Sequence, residues 1–365
     1  MSPRRKPLFT AMVAMSTVPL VTALGAVTAG SAQAAASCTP NAGNTGLSAA
    51  VVATSRQTIS HGTLDATGCD IGIYIGAGAR YVTVRDMTVT GANFQGIFAE
   101  KTSHVSISHS TVTGNAFNTI DPNAPALPGS GVHSFVGQAF AISLFGVRHA
   151  SVEHNKVYNN GRGGIGVMDN GPFDPGAMTQ DPTAPLALSS HIEVEHNRTW
   201  ANYNGCGIVA ATQNVGGYLT RLEISDNRIT GTGFGAAGPD IGGIVVAADP
   251  PQSKVTYADV EHNKVKDSFE AGVLVNAEAS GSWTTAVQVH DNDLSGNNTG
   301  NLLPSGNTTG VIVFAAPGAA NHRTRIWDND ISDQFYGVWT TGHFRPKLWD
   351  NDIDVTAGGV PVSYN

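Results

Sequence analysis

Residues 152–167 read VEHNKVYNNGRGGIGV: a short valine-bearing run that stops at an asparagine, then glycines and a second apolar run. The same order returns as VEHNRTWANYNGCGIV at 194–209 and as VEHNKVKDSFEAGVLV at 260–275. Looser copies begin at Tyr81, His104, Arg221, Ala286, Thr324 and Lys347. The asparagines at 155, 197, 227, 263, 292, 329 and 351 are spaced by 42, 30, 36, 29, 37 and 22 residues. The shortest spacing is the bare unit, and the longer ones are that unit with loops added.

A unit of about 22 residues whose apolar positions alternate and are β-branched is a set of short strands, not a helical repeat. Val152 and Val157, with Ile165 and Val167, are expected to face inward. One coil buries little alone, whereas stacked coils bond to one another at roughly 4.8 Å and share one core. Asparagine at each corner suits a left-handed backbone, and stacked amides can bond along the axis. The position just before each corner is His or Asp: Asp86, His109, His154, His196, Asp226, His262, Asp291, Asp328 and Asp350, the last seven of them directly before an asparagine. Parity is read as turning these inward too, to satisfy corner amides.

This pattern resembles the right-handed parallel β-helix repeat of the pectate-lyase-like superfamily, over about residues 71–362. The resemblance implies an all-β, single-stranded solenoid of about nine to ten coils, with three short parallel sheets and an asparagine ladder at one corner. It also implies that a substrate groove runs along the outside of the first sheet, walled by long loops. The motif specifies a fold; the same coil carries many activities. The signatures of three enzyme types are missing. No Arg-x-Pro-x-x-Arg string of pectate lyases occurs, and none of the four polygalacturonase motifs. The Asp-Pro-His of mannuronan epimerases is here Asp174-Pro175-Gly176.

The chain opens with Arg4, Arg5 and Lys6, an apolar run from Leu8, and small residues up to Ala36, which reads as a secretory signal peptide over residues 1–36. A cap segment is expected over 37–70 and the solenoid over 71–365. Three cysteines in an exported chain suggest one disulfide, Cys38 with Cys69, leaving Cys206 as a buried thiol. The formal net charge of −8, without any basic tract, argues against nucleic-acid and anionic-membrane partners. A monomer without a membrane span is expected, with a polysaccharide or cell-surface glycan as partner.

On the second sheet, Glu153, Glu193, Glu195, Glu223, Asp259 and Glu261 are expected to point outward. Such oxygen-rich patches can hold calcium, but Lys156, Arg198, Arg228 and Lys264 around the corner favour a solvated charge lattice. No cofactor is therefore assigned. The outward positions of the first sheet are apolar: Phe98, Phe145, Met168, Val209, Val245, Leu274, Ile312 and Trp339. Two long loops, 115–138 and 169–190, flank this strip, and long Pro-rich loops are commonly functional walls or lids. Acid–base work on a sugar needs a proton donor and an acceptor. Asp169, Asp240, Arg162 and His133 are the catalytic candidates. Phe98, Phe145, Met168, Asp174, Tyr203, Glu270 and Trp339 are the substrate-binding candidates. Three readings stay open: a polysaccharide lyase, hydrolase or epimerase; a non-catalytic glycan- or surface-binding β-helix; and an isomerase or cyclase acting on an apolar metabolite.

Overall fold

The computed structural model describes residues 37–117, 139–177, 179–203, 205–233, 242–269, 271–301, 305–342 and 345–365. The signal-peptide segment, His133, Asp240 and Glu270 lie outside the described residues.

The chain winds as a parallel β-helix. Gln95–Glu100, Phe140–Phe145, Gly163–Met168, Ile208–Thr212 and Ile244–Ala248 are successive rungs of the first sheet, each parallel to the one before. Ser103–Ser108, Arg148–Glu153, Ser189–Glu195 and Tyr218–Ser225 stack likewise as the second sheet. Lys156–Tyr158, Arg198–Trp200 and Arg228–Thr230 stack as the third. The coils begin earlier than residue 71: Ala49–Val52 pairs with Ile71–Ile75, and Thr58–Asp65 pairs with Arg80–Thr90. The 37–70 segment therefore holds a full turn of the solenoid as well as its cap. Among the described residues no helix is long and apolar enough to cross a membrane.

Alternation explains the core. Val152, Val157, Ile165 and Val167 are all buried in one continuous apolar cluster. Val105, Ala150, Ile192, Leu222 and Ala258 come into register one above another, although 30 to 45 residues separate each from the next along the chain. Like stacks on like, so each coil completes the burial its neighbours lack.

The asparagines line up as expected. From Asn155 to Asn351, each side-chain amide donates to the Oδ1 of the next, at 2.8–3.1 Å. The left-handed residue of the corner is a different one. Positive φ belongs to the residue before each asparagine, with φ of 56° at His154, 54° at His196 and 54° at Asp226. The reason is geometric: a left-handed residue turns the chain sharply, which swings the next side chain into the core and its own side chain out. His109, His154, Asp226, Asp328 and their equivalents are exposed, not inward, and serve no corner amide in the core. A second ladder, unread in the sequence, runs Asn115–Asn160–Asn202 at the other end of the third sheet.

A disulfide joins Cys38 and Cys69, and Cys206 is a buried thiol. The acidic column of the second sheet does face outward. Burial and its acidic neighbours Glu195, Glu261 and Glu193 raise the Glu223 carboxyl.

Candidate active site

The outward apolar strip of the first sheet is covered. Phe98, Phe145 and Met168 are buried, and so are Val209, Val245, Leu274 and Trp339, all in a second apolar cluster outside the barrel wall. Tyr74, Phe98 and Phe145 pack edge to face down the coils, at 5.8 and 5.5 Å between ring centres. The loop after Met168 seats on them. The Gly176 Cα lies so close that an added Cβ would stand 2.3 Å from the Phe98 ring, and Gln95 Nε2 donates to the Gly176 carbonyl at 2.9 Å.

Beneath this loop the sheet carries one carboxyl, Glu100. Two residues beyond Phe98 on the same strand, it points to the same outer side and is 3% exposed. Tyr74 Oη donates to Glu100 Oε1 at 2.5 Å, and Asn170 Nδ2 donates to Oε2 at 3.2 Å. Asp174, brought in by the loop, hydrogen-bonds Glu100 and places a carboxylate beside it. Burial first, then Asp174, pushes the Glu100 carboxyl up to about 8. The same burial and the Glu100 charge hold the Tyr74 hydroxyl well above its ordinary value. Asp174 is itself fixed by its Oδ1, which accepts the N–H groups of Gly176 and Ala177 at 2.9 and 3.2 Å. A carboxyl buried against a second acid is favoured in its neutral form, and here that carboxyl is Glu100. The stacking column that exposes Phe98 as outward also implies Glu100, so parity was the available signal.

Asp169 lies at the next edge of the same sheet, buried, with Oδ1 accepting the Gln213 N–H at 2.5 Å. Burial pushes it up to about 6 against those hydrogen bonds. Asp249, whose enclosed carboxyl is raised by burial and by Glu278 and Asp169, continues the row of acids along this edge. Arg162 and Asp169 bracket the strand Gly163–Met168, so they stand at opposite edges of the sheet and form no pair. Burial pushes the Arg162 guanidinium down to about 10. Tyr203 is exposed on a loop, and Trp339 lies in a late coil, both away from Glu100. Of the candidates read from sequence, Phe98, Phe145, Met168 and Asp174 thus converge with Glu100 and Tyr74. No described group of three or more His, Cys, Asp or Glu residues is placed to hold a metal ion.

A family model described as a right handed beta helix region matches residues 46–256. No curated protein sequence matches. Among solved structures, the A-module of an Azotobacter vinelandii mannuronan C-5 epimerase is 17% identical over 84% of this chain and 71% of that one, with a TM-score of 0.47. An alginate lyase from Paenibacillus is 14% identical over 84% of this chain and 98% of that one, at 0.38. A surface adhesin of Streptococcus pneumoniae is 11% identical over 77% and 71%, at 0.38. The repeat, the stacked coils and the matched family together place this chain in the right-handed β-helix family.

Proposed function

We propose that this is an exported polysaccharide-directed enzyme whose acid–base centre is Tyr74, Glu100 and Asp174. One observation carries the reading: a buried carboxyl that keeps its proton to about 8, held between a phenol and a second carboxyl. Groups so displaced from their ordinary range cluster at sites of proton transfer. The signal-peptide reading and the disulfide support export to an oxidising compartment.

The arrangement favours lyase or epimerase chemistry over hydrolysis. Glycosidases hold their carboxyls about 5–9.5 Å apart, so that sugar and water fit between them. Glu100 and Asp174 instead share a hydrogen bond and act as one proton-exchanging unit. Such a unit removes a sugar C–H proton when ionised. A proton is then delivered either by Tyr74 to the leaving glycosidic oxygen, which is elimination, or by water from the solvent side to the opposite ring face, which is epimerisation. Asp174 and Gly176 arrive on the covering loop, so lifting that loop opens the strip to a sugar, and its closing over the bound chain returns Asp174 to Glu100.

The test is a panel of plant, algal and microbial polysaccharides, with and without calcium. Unsaturated ends absorbing in the ultraviolet, lost in Glu100→Gln and Tyr74→Phe, would support the proposal. Activity untouched by both substitutions would refute the site. A second reading, non-catalytic glycan binding, is favoured by the exposed trough on the second sheet.

A further inference from the structure

The second sheet is bent along its middle by another column of left-handed residues. Tyr81, His104, His149, His191, Arg221 and Tyr257 occupy successive coils with φ of 60°, 58°, 56°, 55°, 56° and 56°. Left-handed backbone costs an L-residue roughly 1–2 kcal/mol, and Gly or Asn would fill such a bend more cheaply. Here large side chains with hydrogen-bonding edges fill it instead. Their rings stack along the axis: Tyr81 on His104 at 4.4 Å, His104 on His149 at 5.1 Å, His149 on His191 at 4.5 Å. Arg221 continues the row, its Nη1 on His191 Nε2 at 2.5 Å.

The bend makes the face concave. A trough of about 470 Å³ lies between this ring column and the neighbouring column of Thr83, Ser106, Ser151 and Glu193. Farther along the axis, a second trough of about 370 Å³ lies in the same two columns, which read Tyr257, Ala286 and Arg323 on one side and Asp259, Gln288 and Arg325 on the other. Register pairs Ser151 with Glu193, Glu193 with Glu223, Glu223 with Asp259 and Asp259 with Gln288, so the two columns run continuously between the troughs.

We propose that this face binds an extended, uncharged glycan lying along the helix axis. Because the rings stack on one another, their edges, not their faces, meet a ligand. Most coils therefore offer an imidazole, phenol or guanidinium on one side and a hydroxyl, amide or carboxylate on the other, repeating every ~4.8 Å. That step is close to the length of one pyranose in an extended chain. Sugar hydroxyls donate to Glu193, Glu223 and Asp259, and accept from the Ser and Thr hydroxyls. A polyanionic chain would meet those three carboxylates in succession along the middle coils, which opposes it there, although Arg221, Arg323 and Arg325 also border this face. A peptide finds no strand edge here, since the trough floor is the paired ladder itself. The face is remote from the proposed chemistry at Glu100, and the two stand or fall separately.

The experiment is isothermal titration of the mature chain with cellohexaose, xylohexaose, mannohexaose and hexagalacturonate. At least one neutral hexaose should bind. The His104→Ala/His149→Ala double variant, and separately Ser106→Trp, which fills the trough from the solvent side, should each weaken it roughly tenfold or more. Circular dichroism checks the fold of each, and Glu100→Gln is titrated beside them to separate this face from the first-sheet site. The proposal is overturned if no neutral hexaose binds, if binding survives both trough variants, or if hexagalacturonate binds most tightly. Loss of binding in Glu100→Gln alone would move the site to the first sheet and equally sink it.

Discussion

The corner of each coil divides its labour between two adjacent residues. His154 bends the chain, and Asn155 bonds it to the next coil. His154→Gly should leave stability within about 1 kcal/mol of wild type, since glycine takes a positive φ freely and the imidazole is exposed. Asn227→Ala should cost about 2–4 kcal/mol in urea unfolding. It removes donors to Asn263 Oδ1 and Val194 O, and the acceptor of Asn197, all inside the protein where water does not replace them. Glu100 gives a pH signature. Its folded pKa of about 8 exceeds the ordinary 4.5, so between these values the folded state holds a proton the unfolded chain has lost. Stability should therefore be full below about 4.5 and fall as pH rises toward 8, by on the order of 5 kcal/mol at most. Melting temperatures of Glu100→Gln should lack that slope, and a wild type that lacks it too would show that Glu100 titrates normally.

At the scale of elements, the loop after Met168 does what its length and prolines suggested, since it covers Phe98 and Phe145 and brings Asp174 to Glu100. Its seat depends on Gly176. Gly176→Ala should unseat the loop through overlap with the Phe98 ring, at a cost of roughly 1–3 kcal/mol. The readout is faster proteolytic nicking between residues 169 and 188 and stronger binding of a hydrophobic dye. The candidates Asp169 and Arg162 flank the same strand at opposite ends. Chain order alone placed them together because it gives the coil each residue occupies, not the side of the sheet it reaches.

For the whole molecule, stability is a sum of similar coils, and the first turn is held by the bridge from Cys38 to Cys69, 31 residues apart. Closing a loop of that length should contribute roughly 3–4 kcal/mol. Reduction, or the Cys38→Ser/Cys69→Ser double variant, should lower the melting temperature. Hydrogen exchange should rise first at residues 38–65, while the Asn155–Asn329 ladder stays protected.

The amino-acid sequence by itself determined the solenoid. Alternating β-branched residues allow only strands, and an asparagine recurring at 155, 197, 227 and 263 allows only coils stacked corner on corner. It also determined the disulfide and the outward acids. Tertiary structure alone decided which groups meet. Glu100 becomes a neutral acid because Tyr74 from the coil before and Asp174 from a loop 74 residues later close around it and exclude water. A titration midpoint depends on that surrounding dielectric and charge, which no local stretch of sequence contains. The trough on the second sheet has the same origin: His104, His149 and His191 are isolated histidines in the chain and a continuous wall only once the coils are stacked.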